Sequence, residues 1–284
     1  PGMPFSEIDT PALIIDLDAF ERNLKRMQDL ALKYGVRVRA HAKTHKSPMI
    51  AHRQIAHGAV GVCCQKVSEA EVMVRGGVRD VLITNEIAGA RKLERLAFLA
   101  REAHVALCTD SLQNVQDLAA AAARASVRLN VLVEIDCGGR RCGVEPGRPA
   151  AELAKVIAGS PHLTFAGLQA YYGSAQHFRT DAERRSAIAS AGERVKETLA
   201  ELDRAGLACP LITGAGTGTC EIEASSGIWN ELQPGSYIFM DADYARNQKA
   251  DGSRFDTFEH ALFLLATVMS TPTSERAVID AGHK

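Results

Sequence analysis

The segment AVGVCCQKVSEAEVMVRGGVRDVLITN (59–85) contains one complete strand–helix–strand unit. Its two apolar runs, AVGVCCQ (59–65) and DVLITN (80–85), are aliphatic and β-branched, which is typical of strands buried on both faces. The amphipathic segment between them predicts a helix that ends at Gly76–Gly77. Two successive strands joined by a helix lie parallel to each other. This unit therefore predicts an α/β fold with a parallel sheet.

The same alternation of short apolar runs and longer amphipathic segments continues along the chain. The predicted strands are VRVRAHA (36–42), AVGVCCQ (59–65), DVLITN (80–85), HVALCT (104–109), VRLNVLVEI (127–135), LTFAGLQAYY (163–172), PLITG (210–214) and SYIFMDA (236–242). Eight such units imply closure into a (β/α)8 barrel of the TIM type. An open doubly wound sheet is the alternative, but no dinucleotide-binding fingerprint follows the first strand, which weakens it.

Two terminal segments do not belong to the eight units. ALIIDLDAFERNLKRMQDLALKYG (12–35) predicts an extra strand and helix ahead of the first barrel strand, and ALFLLATVMS (261–270) and RAVIDAG (276–282) predict two strands without a helix between them. We therefore expect a barrel at residues 20–246 and a second, mostly β domain formed by 1–19 and 247–284. Because two strands alone have little stability, we expect this second domain to be incomplete at its C-terminus.

Composition excludes several classes of partner. The net charge is −1, which gives no electrostatic reason to bind nucleic acid or a membrane surface. No apolar run approaches the length of a membrane span, and the N-terminal residues do not form a signal peptide. The seven cysteines are an odd number and lie mostly in apolar runs, which indicates reduced thiols in a cytoplasmic protein. Cys137 and Cys142 lack a second pair at zinc spacing.

Polar residues cluster where the predicted strands end, which is where parallel barrels place their chemistry. His41, Lys43 and His45 would share one face if the extended backbone continued past the first strand. Desolvation and cationic neighbours would lower the pKa of a Lys43 amine inside the barrel, which gives the free amine that a Schiff base requires. In the alternative interpretation, Lys43 lies past the strand in solvent, together with Lys46.

Two glycine-containing segments suggest that the site binds an anion. TGAGTGT (213–219) follows the seventh predicted strand, where barrels commonly bind phosphate, and its glycines let backbone N–H groups approach the ligand. Gly235 and Ser236 would form a second wall of that site. EIDCGGRRCGV (134–144) contributes adjacent arginines, which need an anionic or planar partner or else solvent.

These features together resemble the pyridoxal-phosphate enzymes of the alanine-racemase barrel type, in the branch of D-threonine aldolases and D-serine dehydratases. The matching segments are TPALIIDLDAFERN, RAHAKTHKS, EIDCGGRRCGV, GAGTGT, NELQPGSYIFMD and AVIDAG, so the resemblance covers nearly the whole chain. It implies that Lys43 is the Schiff-base lysine and that Arg141 bonds the phenolic oxygen of the cofactor. The remaining residues expected around pyridoxal 5′-phosphate are His41, Gln65, Tyr172, Gly216, Thr217, Gly218, Gln233, Gly235, Ser236 and Tyr237.

The resemblance also implies a reaction. We expect retro-aldol cleavage of a small D-configured β-hydroxy-amino acid, with 3-hydroxy-D-aspartate giving glycine and glyoxylate and D-threonine-type substrates also possible. His177 is the candidate base, although an exposed loop histidine is the alternative interpretation. Gln233 stands where alanine racemases have an arginine facing the pyridine nitrogen. A head-to-tail homodimer is expected from the resemblance alone.

A divalent metal, Mg²⁺ or Mn²⁺, is expected as well. The branch carries its metal ligands in a histidine- and cysteine-containing segment near its C-terminus, and this sequence ends before such a segment, so we name no metal ligand. If the ligands lie in the barrel instead, Asp241, Asp243 and His177 are the residues to test. The other functions considered are a dehydratase of D-serine or 3-hydroxyaspartate, a racemase, and a non-catalytic cofactor carrier.

Overall fold

The central feature of the computed structural model, which describes residues 3–282, is a closed barrel of parallel strands. One strand, β1 (Ala12–Ile15), precedes it. The barrel strands are β2 (Arg37–His41), β3 (Gly61–Cys64), β4 (Asp80–Glu86), β5 (His104–Thr109), β6 (Leu129–Glu134), β7 (Leu163–Ala170), β8 (Ile212–Gly214) and β9 (Glu231–Leu232). Each strand pairs with the next in the chain, and β9 closes the barrel on β2. The predicted eight-stranded barrel is confirmed.

The helices cover the outside of this barrel. They are α1 (Leu17–Tyr34), α2 (Pro48–Ala56), α3 (Val67–Arg75), α4 (Ala90–Leu99), α5 (Leu112–Ala125), α6 (Arg148–Gly159), α7 (Asp181–Arg204) and α8 (Cys220–Ser225). Helix α1 packs over the junction between β2 and β9. Its Phe20 and Leu24 belong to the same apolar cluster as Val38 of β2 and Leu232 of β9. The helix that comes first in the sequence thus covers the junction of the first and last barrel strands. None of the helices in residues 3–282 has the length and apolar character needed to cross a membrane.

The prediction for the eighth strand is wrong in its position. The strand is the two-residue β9, whereas residues 236–242 begin with a 3-10 turn, Ser236–Ile238. Pro234 follows β9 and has no N–H with which to extend a ladder. Segment 236–242 is apolar for another reason: its side chains pack against α1. The Phe239 and Phe20 rings, for example, lie 6.0 Å apart.

The interior of the barrel contains an ion pair. Arg39 donates from Nε to Oε1 of Glu231 at 3.0 Å and from Nη1 to Oδ1 of Asp80 at 2.6 Å. Thr213 donates its hydroxyl proton to the same Glu231 oxygen at 3.0 Å. Arg39 and Glu231 are both buried. These contacts link β9 to β2, β4 and β8, so the shortest strand is fixed largely by side chains.

We expect Arg39→Ala to destabilise the protein strongly. The change leaves the buried Glu231 carboxylate without its cation, and breaking a buried pair in this way costs roughly 3–5 kcal/mol. Arg37→Ala is the matched control, because Arg37 is half-exposed and its Nε lies 3.8 Å from the same carboxylate. Urea unfolding followed by circular dichroism measures both free energies of unfolding. Equal small losses for the two variants would show that the interior ion pair does not stabilise β9.

The terminal segments form two small antiparallel sheets. β1 pairs with β10 (Leu262–Leu265), which places Ala12 opposite Leu265, and β11 (Val268–Thr273) pairs with β12 (Arg276–Ile279). Strands therefore exist near both ends, and β1 pairs with β10. The single strand predicted at 261–270 is wrong, because that segment is divided between β10 and β11, which belong to different sheets. The division into a barrel at 20–246 and a second β domain at 1–19 and 247–284 stays a prediction. Its residues 1–2 and 283–284 lie outside the described residues.

Candidate active site

A cavity of about 470 Å³ opens at the carboxyl ends of the barrel strands. This position is the one at which parallel barrels bind their ligands. Nine of the residues predicted from the sequence line it. They are His41, Lys43, Gln65, Arg141, Gly216, Thr217, Gln233, Gly235 and Ser236, and they are joined by Thr44, Thr84, Gln169, Tyr171 and Tyr244.

Lys43 enters the cavity from a 3-10 turn, Ala42–Thr44, directly after β2. The extended backbone therefore ends at His41, and His45 turns away to contact Gln54. Lys43 is accessible through the open cavity, yet burial against the protein and the nearby Arg141 lower the pKa of its amine. Lys46 does not line the cavity, and its side chain is 66% exposed. Lys43 is therefore the lysine placed to act as a nucleophile, because it lines the cavity and its lowered pKa favours the free amine.

His41 forms part of the cavity wall as a neutral imidazole. Burial lowers the pKa of His41 well below its usual value, and Lys43 and Arg141 add to this. Its Nδ1 accepts a hydrogen bond from the Lys43 backbone N–H, so the ring proton belongs on Nε2, which lies 3.0 Å from the Thr84 hydroxyl. The Thr84 hydroxyl then donates to the Cys64 carbonyl at 3.4 Å. This chain of bonds fixes the ring orientation beside Lys43.

The loop after β8 presents an unpaired hydroxyl group. Thr217 is buried, and its Oγ1 has no hydrogen-bond partner within residues 3–282. Buried hydroxyl groups are rarely left unpaired unless a ligand or water completes them. Gly235 on the opposite wall is tightly packed, because a Cβ there would lie 2.6 Å from the Thr44 hydroxyl. The loop therefore has a hydroxyl donor, and the facing wall leaves no room for a side chain.

Three residues predicted to bind the cofactor lie outside this cavity. The Gly218 N–H donates to Oε1 of Gln176 at 3.1 Å. Tyr237 is fully buried, and its hydroxyl accepts from Nε2 of Gln54 at 3.3 Å. Tyr172 packs edge-on against Phe178, while its neighbour Tyr171 lines the cavity. Neighbouring residues at a strand end point to opposite sides, which explains why Tyr171 rather than Tyr172 faces the site.

Neutral amides and one arginine form the remaining polar surface. Gln233 and Gln169 exchange hydrogen bonds of 2.8 and 3.1 Å, and Nε2 of Gln233 also donates to Thr213 at 2.8 Å. Arg141 stacks over the Tyr171 ring at 5.5 Å and lies 3.6 Å from the Glu134 carboxylate. A ligand in this cavity would thus meet a cation on one side and uncharged amides on another.

His177 does not line the cavity that contains Lys43. It lies in an adjoining chamber of about 620 Å³, which shares Arg141 and Tyr171 with that cavity. His177 Nδ1 lies 2.5 Å from Oδ2 of Asp243, and its ring stacks on Tyr244 with centroids 5.3 Å apart. Hydrogen bonds from Arg179 and from His177 lower the pKa of Asp243 well below its usual value. The imidazole is therefore held by a carboxylate next to the cavity that contains Lys43.

The suggested metal ligands Asp241, Asp243 and His177 are occupied by each other and by their surroundings. Asp241 Oδ1 accepts backbone N–H bonds from Asp243 and Tyr244, both at 2.9 Å. Asp243 is held by His177 and also by Arg179 at 2.5 Å. Within residues 3–282, the group of side chains with a spacing suitable for a metal is a different one, formed by Glu86, Glu134 and Cys142.

The sequence could have supplied several of the residues that were missed. Gln169 precedes Tyr171 by two positions on β7, so the two share a face by strand periodicity. Thr84 is on β4 in a predicted strand end. Thr44 and Tyr244 have no such signal, because both lie in turns whose direction depends on the tertiary fold.

A parallel barrel with a lysine of lowered pKa and a loop hydroxyl left unpaired within residues 3–282, both at the carboxyl ends of the strands, is the arrangement expected of barrel-type pyridoxal-phosphate enzymes. Residues 15–243 match the family model described as alanine racemase, N-terminal domain, and the chain belongs to that family. The predicted resemblance is thereby confirmed, and pyridoxal 5′-phosphate is the cofactor that the family implies.

Similar proteins include two aldolases. The chain is 49% identical to 3-hydroxy-D-aspartate aldolase from Paracoccus denitrificans and 47% identical to D-threonine aldolase from Arthrobacter sp, and in both cases all of this chain and 74% of the relative are covered. The crystal structure of D-threonine aldolase from Filomicrobium marinum superposes with a TM-score of 0.94 at 55% identity, covering 97% of this chain and 73% of that one. D-threo-3-hydroxyaspartate dehydratase from Delftia sp. is more distant, at 31% identity over 97% of this chain and 72% of the relative.

Proposed function

We propose that this protein is a pyridoxal-phosphate-dependent lyase that cleaves D-configured β-hydroxy-amino acids between Cα and Cβ, with 3-hydroxy-D-aspartate as its main substrate. The observation that carries the proposal is the shared wall between the Lys43 cavity and the His177 chamber. One compartment holds an amine that can carry a cofactor, and the other holds an imidazole that can accept a proton. The higher identity to the two aldolases than to the dehydratase supports cleavage over water elimination.

The residues of the cavity fit the cofactor. The unpaired Thr217 hydroxyl, with Gly216, Gly235 and Ser236, would hold its phosphate. Lys43 would bind it covalently through the ε-amine, Arg141 would bond its phenolic oxygen, and Gln233 would face its ring nitrogen. When bound, the cofactor supplies an electron sink for the carbanion that carbon–carbon cleavage leaves. Gln233 is neutral, so it would hydrogen-bond the ring nitrogen without placing a positive charge beside it.

The side chains of this protein perform the proton transfers. The β-hydroxyl of the substrate must lose its proton before the Cα–Cβ bond breaks, and a neutral His177 that donates Nδ1–H to Asp243 keeps a lone pair on Nε2 for that proton. Lys43 would hold the cofactor, and its amine, whose pKa is lowered by burial and by Arg141, is the group that would transfer protons at Cα. Arg141 remains between the two compartments and provides positive charge for an anionic substrate.

The products distinguish the proposal from its rivals. We expect 3-hydroxy-D-aspartate to give equal amounts of glycine and glyoxylate, and D-threonine to give glycine and acetaldehyde more slowly. A dehydratase would instead release ammonia and a 2-oxo acid, a racemase would yield the L-configured amino acid, and a cofactor carrier would yield nothing. Chromatography of the reaction mixture separates these outcomes, and any pattern other than the first would overturn the proposal. L-configured substrates are the control and should not react.

We expect Thr217→Val to weaken cofactor binding. The change keeps the shape of the side chain but removes one donor to a charged phosphate, which costs about 1.5–3 kcal/mol or roughly 10- to 100-fold in affinity. Titration of the cofactor-free protein, followed by its absorbance, measures this. Ser225→Ala is the control, because that hydroxyl is exposed and donates to the Ile222 carbonyl. Unchanged affinity in Thr217→Val would place the phosphate elsewhere.

The remaining expectations belong to the same proposal. A Mg²⁺ or Mn²⁺ ion would lower the pKa of the substrate β-hydroxyl, so a chelator should reduce cleavage and added metal should restore it. A homodimer in the cytoplasm, without nucleic-acid or membrane partners, is proposed from the sequence. Light scattering during size-exclusion chromatography tests the dimer, and a monomer at the concentrations used for activity would contradict it.

A further inference from the structure

A cluster of three side chains beside Arg141 has no role in the proposed reaction. Glu86 ends β4, Glu134 ends β6, and Cys142 lies in the loop that follows β6. Their potential ligand atoms, two carboxylate oxygens and one sulfur, all lie within 4.8 Å of one another. Glu134 and Cys142 both line the chamber that contains His177.

One oxygen of each carboxylate in this cluster has no hydrogen-bond donor among the described residues. Glu134 is 3% exposed, and its Oε2 is buried without a hydrogen-bond donor in the part of the chain described here. Oε1 of Glu86 is also buried and has no hydrogen-bond donor among the described residues. The nearest cation, Arg141, reaches only the other oxygen of Glu134, at 3.6 Å. Two carboxylates side by side, of which Glu134 is buried and Glu86 half-buried, repel each other unless a cation or a shared proton lies between them.

We propose that Glu86, Glu134 and Cys142 bind a divalent cation of the Zn²⁺ class. Thiolate and carboxylate together suit Zn²⁺ better than Mg²⁺ or Mn²⁺, which prefer oxygen ligands alone. Three protein ligands would leave one tetrahedral position for a water or a ligand oxygen, and two of them, Glu134 and Cys142, line the chamber from which it could come. With the cation bound, Glu134 no longer neutralises Arg141, whose charge is then directed to the cofactor cavity. This site is independent of the proposed function, because it is defined without reference to any reaction.

Cobalt binding tests the site without measuring activity. The purified protein is stripped with a chelator, desalted and titrated with Co²⁺ alone. We expect one equivalent to bind with a cobalt–thiolate charge-transfer band, and Zn²⁺ to displace it. Cys142→Ser should lose the charge-transfer band. Loss of a residue that only hydrogen-bonds to a metal ligand costs roughly 10- to 100-fold in metal affinity. Glu134→Gln should weaken Co²⁺ binding by more than this, because Glu134 is proposed to be a ligand itself. Cys209→Ser, a half-buried cysteine outside the cluster, should retain both.

Three results would overturn the proposal. The first is absence of Co²⁺ binding by a folded protein, which would leave a shared proton between Glu86 and Glu134 as the explanation. Burial and the Glu86 charge already raise the pKa of Glu134 to about 8, as such sharing requires. The second is a thiolate band that survives in folded Cys142→Ser, which would place the ion on another cysteine such as Cys137. The third is unchanged affinity in folded Glu134→Gln. Circular dichroism establishes folding for each variant.

Discussion

Lys43→Ala protein is expected to have neither covalently bound cofactor nor measurable cleavage of 3-hydroxy-D-aspartate. The substitution removes the amine that anchors the cofactor and the group that transfers protons at Cα. One acid–base group alone is typically worth 10²–10⁴-fold, so the combined loss in kcat should be at least roughly 10³-fold. Because burial and Arg141 lower the pKa of Lys43, its amine is less protonated near neutral pH than an ordinary lysine amine, and other lysines cannot replace it.

Borohydride reduction and peptide mapping test this assignment directly. In the unmodified protein the reduced cofactor should be found on the peptide that contains Lys43. Lys46→Ala is the matched control, because Lys46 is three residues away, largely exposed and outside the cavity. It should keep both the label and the activity. Label on Lys46, or a Lys43→Ala protein that still turns over, would show that the cavity does not work as proposed.

The barrel could be predicted because each strand–helix unit leaves a local pattern. Strands such as β3 and β6 are buried on both faces and are therefore apolar over several residues. β9 has only two residues, one of them the buried Glu231, and so has no such pattern. Its position depends on ladder bonds to β2 and β8 and on the Arg39 ion pair, all of which are long-range. The apolar residues after it were mistaken for the strand because packing against α1 produces the same composition.

The site also contains residues that a local sequence pattern predicts and residues that only long-range contacts place. Lys43, Thr217 and Gln233 could be predicted, because strand ends of a parallel barrel converge whatever the details of the loops. The choice between Tyr171 and Tyr172 depends on a bulge within β7, where Phe165 pairs with Val131 and Gly167 with Leu132, because one inserted residue reverses the side that all later residues face. The pairing of His177 with Asp243 joins residues 66 positions apart through two turns. No periodicity in the sequence encodes such a contact, although each residue was a candidate by type.

We expect His177→Ala to lower kcat by roughly 10²–10⁴-fold, the usual contribution of a general base, while cofactor affinity stays unchanged. The histidine lies in the chamber next to the cofactor cavity and has no contact with the phosphate loop, so a loss of cofactor would indicate a structural role instead. Added imidazole should restore part of the rate in this variant, because a small base can enter the vacated space. His52→Ala is the control, since that exposed ring lines neither cavity and hydrogen-bonds to the Gly76 carbonyl.

Asp243→Asn extends the test to the carboxylate that holds the imidazole. Asparagine keeps the size of the side chain, but it can present its amide N–H to Nδ1 and so favour the tautomer with the proton on Nε2, where the substrate proton must go. We expect kcat to fall at least roughly tenfold with little change in KM, and Asp243→Glu to recover part of the loss. In the double variant His177→Ala/Asp243→Asn, the asparagine should cost little more, because the carboxylate acts through the histidine. Additive losses would mean that Asp243 acts through its contacts to Arg179 and Arg246 instead.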